Sequence, residues 1–195
     1  MNNYEYIIAS LPLLSKDEKE MPDTDAILSE IREQLSAKDI STLDLLLSSF
    51  DPDKLDAEFY RKAAKDRNRF IREFFCLDLG IRNTKVEYLN STLGRPEGTD
   101  VVVLDPDGED PAFEQKAEVE ALLRTDDILG RERALDDFYW KTVDAITVLD
   151  YFNLDVVLAF VVKLKMVERW LRLDEATGRE LFRKLVKEIK ENTKI

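Results

Sequence analysis

The sequence predicts an all-α protein, a helical bundle of long helices, and three observations carry that prediction. Only six glycines and six prolines interrupt 195 residues. Charged residues make up 36% of the chain, many of them good helix formers. Apolar residues recur at three- and four-residue spacings over most of its length. A chain this long buries a core without disulfides or metals, and a single helical domain over 1–195 is expected.

The opening Tyr4-Glu5-Tyr6-Ile7-Ile8-Ala9-Ser10-Leu11, closed by Pro12, fits either a short extended strand or a first helical turn. A helix is signalled from Thr24, with Ile27, Leu28, Ile31 and Leu35 on one side and acidic residues in its first turn. A second, short helix is expected after Ser41, carrying Leu43, Leu46 and Leu47. Phe50-Asp51-Pro52-Asp53 stops it, because proline restricts its predecessor and aspartate favours a turn or a new N-cap.

From Leu55 to Leu93 there is no proline, and only Gly80 interrupts a face formed by Phe59, Ala63, Phe70, Phe74, Leu77 and Ile81. The pattern predicts one very long helix or two nearly collinear ones. Gly94 followed by Pro96 ends it. Residues 96–111 then form a loop, with a short extended stretch predicted at 100–104 around Val101-Val102-Val103-Leu104.

Helices resume over Ala112 to Arg124, Ile128 to about Leu149, and Leu154 to Leu173. The last of these is apolar nearly all round at Val156 to Val162 and is expected to be the central, most buried helix. A final helix carries Leu181, Phe182, Leu185 and Ile189 with a lysine-rich end suited to the negative pole of its dipole.

Two segments echo one another. Leu55-Asp56 with Phe59-Tyr60 resembles Leu135-Asp136 with Phe138-Tyr139, and Phe74-Phe75-Cys76-Leu77-Asp78-Leu79 resembles Tyr151-Phe152-Asn153-Leu154-Asp155-Val156. The spacing points to a helical unit duplicated in tandem, 1–95 and 112–195, joined by the loop 96–111.

The composition excludes much chemistry. Histidine is absent, which removes the commonest general base and metal ligand together. Cys76 stands alone in an apolar run, so a disulfide within the chain is impossible and a buried, inert thiol is expected. Glycine-rich phosphate loops are missing. Asp105-Pro106-Asp107-Gly108-Glu109-Asp110 resembles a calcium loop, but its register puts Val103 where the first carboxylate belongs, so an acidic turn is expected instead. No catalysis, cofactor or metal is predicted. The start lacks a signal peptide's pattern and no apolar run approaches a membrane span, which predicts a cytoplasmic protein without direct membrane insertion.

The net charge of −12 is uneven, with acidic blocks over 1–60 and 96–160 and basic blocks between and after them. Such a field disfavours nucleic acid except at a local basic surface. Arg61, Lys65, Arg69 and Arg72, spaced 4, 4 and 3 apart, supply a candidate partner-binding face on one side of the long helix. A solvated face opposite the core explains the same spacing.

Three stretches resemble a known family: Tyr4 to Pro12, Phe70-Ile71-Arg72 through Arg82-Asn83 and Tyr88-Leu89-Asn90, and Lys163-Leu164 through Glu168-Arg169-Trp170. They look like a bacterial family of unknown function encoded within V/A-type ATPase operons (domain of unknown function 2764). The repeats around Leu77-Asp78 and Leu154-Asp155 also resemble those of the C-type component of V/A-type ATPases, called d in eukaryotes. The resemblance implies a non-catalytic structural or assembly protein that couples the rotor shaft to the membrane ring, with the other V/A-type ATPase subunits as partners. It also implies a cytoplasmic location, peripheral at the inner membrane through the complex. The C-type component has three repeats where this chain shows two. The alternatives from other classes are a carboxylate-dependent hydrolase or metal-dependent enzyme, and a nucleic-acid-binding helical protein.

Overall fold

The computed structural model describes residues 4–105 and 112–173. Among these the secondary structure is entirely helical: α1 (Glu5–Ser10), α2 (Thr24–Gln34), α3 (Ala37–Ser48), a 3-10 turn (Pro52–Lys54), α4 (Ala57–Ala64), α5 (Arg69–Leu93), α6 (Lys116–Leu123), α7 (Ile128–Ile146) and α8 (Leu154–Arg172). The final helix expected after Asp174 lies outside the described residues, as does most of the acidic loop at 105–110.

Local signals fix most boundaries. Asp23 caps α2 by accepting the Ala26 amide at 3.0 Å. Ser36 does the same for α3 through Asp39 N–H at 3.2 Å, so that helix begins earlier than the predicted start after Ser41. Gly94 ends α5 at φ 66°, with the Arg95 amide donating back to Asn90 O at 2.9 Å. The opening segment resolves into a helical turn rather than a strand, anchored by buried Tyr4 and Ile7.

The stretch 57–93 differs from the sequence reading. Asp66 Oδ1 accepts the Asn68 amide at 2.7 Å, and Asn68 Oδ1 accepts the Ile71 amide at 2.9 Å, which ends one helix and caps the next. The two helices are not collinear. Tyr60 Oη donates to Asp78 at 2.6 Å and Arg82 donates to Leu55 O at 2.9 Å, so α4 folds back along α5 as an antiparallel hairpin. Phe59 meets Phe75 edge to face across it, with ring centres 4.9 Å apart.

The predicted extended stretch at 100–104 has no partner strand among the described residues. Asn83, on α5, receives the Val102 amide at 3.0 Å and donates to Val102 O at 2.8 Å. One side-chain amide satisfies both backbone groups that a strand would otherwise pair.

Helix α8 is the hub, packing against α1, α2, α3, α5 and α7. Val157, Leu158, Ala159, Val161 and Val162 are all buried, as the uninterrupted apolar run predicts. Around it, Ile31, Leu43, Leu46, Tyr60, Phe70, Ile71, Phe75 and Val143 form a single core that draws on both sides of the 96–111 loop. A smaller core lies under α6, where Val119 and Leu123 meet Leu77 and Ile81 of α5 and Leu135 and Phe138 of α7. The echoed motifs occupy unlike places. Leu55-Asp56 precedes α4 and caps it, whereas Leu135-Asp136 lies inside α7; Phe74 to Leu79 lies inside α5, whereas Tyr151 to Val156 straddles a turn and the start of α8.

Candidate functional site

The four basic residues picked out by their spacing do not share a face, because the turn at 65–68 separates Arg61 and Lys65 from Arg69 and Arg72. Arg61 donates to Leu104 O at 3.0 Å and Val103 O at 3.3 Å, fastening the extended stretch to α4. Arg72 donates to Asp66 O at 2.8 Å and Arg67 O at 3.0 Å, closing the α4–α5 turn. Lys65, just past the end of α4, is exposed and makes no ion pair among the described residues.

Arg69 stands at the first position of α5 and reaches three other elements. It donates to Ile146 O, the last carbonyl of α7, at 3.0 Å, and pairs with Asp150 in the α7–α8 turn. It also reaches Asp155 in the first turn of α8 at 3.3 Å and Glu73 on its own helix at 3.5 Å. Partial desolvation opposes the charge, but the carboxylates of Asp150, Glu73 and Asp155 outweigh it and raise the guanidinium's pKa. Asn153 Nδ2 adds a bond to Asp150 at 2.6 Å, and the Tyr4 amide donates to Phe152 O at 2.7 Å. The α7–α8 turn is therefore tied at both ends and in its middle.

What this fastened turn displays is apolar. Val148 is 69% exposed, Leu149 83%, Tyr151 70% and Phe152 47%. Four large apolar side chains within five residues form a knuckle at the end of the bundle where α8 begins. Turns of this length are ordinarily polar, and clustered exposed apolar groups mark interaction sites in soluble proteins. The signal is present in the sequence, but Tyr151-Phe152 also matches an interior motif and so reads as core.

The partly or fully buried acidic side chains Asp78, Asp136 and Glu168 are engaged rather than poised. Asp78 accepts from Tyr60 at 2.6 Å and from Tyr139 at 2.7 Å, bridging α4, α5 and α7. Desolvation, reinforced by the adjacent Asp78 charge, raises the pKa of both phenols, so each stays a donor. Asp136 receives Arg169 and the Trp170 indole, and Glu168 receives Lys165 at 2.8 Å and Arg172 at 2.6 Å. Among the described residues no three acidic or thiol side chains converge as metal ligands. Cys76 is exposed, contrary to its apolar setting, because it lies on the outer side of α5 while Phe74, Phe75 and Leu77 turn inward. Partial burial still raises its thiol pKa, which disfavours the nucleophilic thiolate.

A family model described as "Protein of unknown function (DUF2764)" matches residues 108–193. Over that region the chain is similar to a family of unknown function, and Lys163 to Trp170 is the one of the three resembling stretches that falls within it. No curated protein and no solved structure matches the chain. No helix among the described residues is long and apolar enough to cross a membrane.

Proposed function

We propose that the chain is a non-catalytic docking protein whose contact surface is the α7–α8 knuckle. The observation that carries this reading is an apolar turn fastened by Arg69, Asp150 and Asn153 while Val148, Leu149, Tyr151 and Phe152 stay exposed. A fixed turn loses little conformational freedom on binding, and rigid aromatic anchors of this kind dominate protein interfaces. The resemblance to V/A-type ATPase operon proteins and to the C-type component supplies the partner: the rotor shaft or membrane ring of such an ATPase, with this chain as a structural or assembly protein peripheral at the inner membrane.

Copurification with the ATPase tests it. The intact chain should travel with the complex, and Leu149→Asp/Tyr151→Asp should abolish this without lowering the melting temperature, since both side chains face water. Equal recovery of the double variant would remove the knuckle from the interface. Absence of the unaltered chain from the purified ATPase would remove the partner.

A further inference from the structure

On another side of the α8 N-terminus lies a polar cleft of about 850 Å³. Its walls come from α3, from the end of α4 with the turn after it, and from the first turn of α8. Four cations line it: Lys38 on α3, Lys62 on α4, and Lys65 and Arg67 in the turn. None of the four side chains makes an ion pair or hydrogen bond among the described residues. Most basic side chains elsewhere are matched, as Lys16 is with Asp137, Arg32 with Asp44, Lys116 with Glu87 and Lys163 with Asp144. In a chain with 41 acidic and 29 basic residues, unmatched cations brought to one cleft from separate elements are unexpected for a merely solvated surface.

The carboxylates of the same cleft are turned to its walls. Asp155 is 7% exposed and accepts from Asn68 at 2.7 Å and from Arg69. Asp39 receives the Tyr4 hydroxyl and Ser36 Oγ, and Asp66 receives the Asn68 amide. The first turns of α3 and α8 and the cap of α5 also face the cleft, setting the positive ends of three helix dipoles against the one negative end, that of α4. Ser41 adds a hydroxyl, the Thr42 hydroxyl donates to Lys38 O at 3.5 Å, and Leu154 is the only aliphatic residue in the lining.

We infer that this cleft binds a compact, multiply charged phosphate compound, a soluble polyphosphate or phosphate ester. Its volume matches a small-molecule site. With Leu154 as the one aliphatic lining residue, charge rather than hydrocarbon contact would select the ligand, and the buried Tyr4 ring leaves no aromatic face on which a base would stack.

The test is calorimetric titration of inorganic tripolyphosphate into the intact chain, at low salt and at about 0.15 M salt, the physiological ionic strength. Saturable one-to-one binding is expected, weakening with salt and falling about tenfold or more in Lys62→Glu/Lys65→Glu. Lys19→Glu/Lys141→Glu makes the same change of charge at exposed positions outside the cleft and should leave affinity nearly unchanged. Melting curves establish that both variants are folded. Absence of saturable heat, or equal losses in the two double variants, would overturn the assignment. Stronger binding to a single-stranded oligonucleotide, or to vesicles bearing a phosphorylated inositol headgroup, would overturn it in favour of a macromolecular or lipid ligand.

Discussion

Asp78 shows how much a single side chain can organise here. Its two oxygens take one phenol from α4 and one from α7, so three helices share one carboxylate. Replacing both tyrosines by phenylalanine leaves that half-buried carboxylate short of donors, at a cost of about 1 kcal/mol for each hydrogen bond lost. The phenols also impose a pH dependence. In the unfolded chain they release protons near their ordinary value of 10.0, whereas the fold raises both pKa values. The folded state therefore holds more protons above that pH, and stability must decline as pH rises from about 10 toward the folded values. Melting temperatures between pH 8.5 and 11 should fall more steeply for the unaltered chain than for Tyr60→Phe/Tyr139→Phe; parallel curves would refute the linkage. None of this is legible in the sequence, because residues 60, 78 and 139 meet only through the tertiary fold. The absence of histidine is visible at once, and with it the narrowness of the chemistry on offer.

Among the elements, legibility follows the range of the forces involved. The start of α2, the αL end of α5 and the buried run of α8 are set by neighbours in sequence, and the pattern places all three. The break at 65–68 escapes it because Asp66 and Asn68 look like polar positions of a continuing helix until their side chains are seen accepting backbone amides. That break also undoes the basic stripe, since spacing predicts a shared face only within one helix. Gly80 makes a sharper case. Alanine is the better helix former by about 1 kcal/mol, yet a Cβ there would lie 2.4 Å from the Phe113 ring. Overpacking of this sort costs about 1–3 kcal/mol. Gly80→Ala should therefore lower the melting temperature, but raise it in a Phe113→Ala background, where the obstructing ring is gone. If alanine has the same effect in both backgrounds, the two residues are not coupled.

For the molecule as a whole, the all-helical class is legible from composition and periodicity, and the central place of α8 from its apolar run. The echoed motifs occupy unlike positions, one pair around α4 and inside α5 and the other inside α7 and across the start of α8. What the sequence leaves hidden is where unlike segments meet: a knuckle built from a turn that reads as core, and a cleft whose cations come from positions 38, 62, 65 and 67. The core draws on both sides of the 96–111 loop, so neither side should fold alone. A fragment ending at Asp150 is expected to show helical circular dichroism without a cooperative thermal transition, and a sharp transition in it would mean that the segment before α8 has a core of its own.

The position of α8 also bears on how the chain comes off the ribosome. Five helices rest on a segment made after all of them, so α1, α2, α3, α5 and α7 emerge before the surface they cover exists. Local helices, the α4–α5 hairpin and the small core under α6 can form early, but the sides of these five helices that face α8 stay uncovered until Leu154 to Arg172 has left the exit tunnel. Completion of the main core is thereby postponed until α8 has been delivered, and through that interval the nascent chain carries exposed apolar surface that favours aggregation.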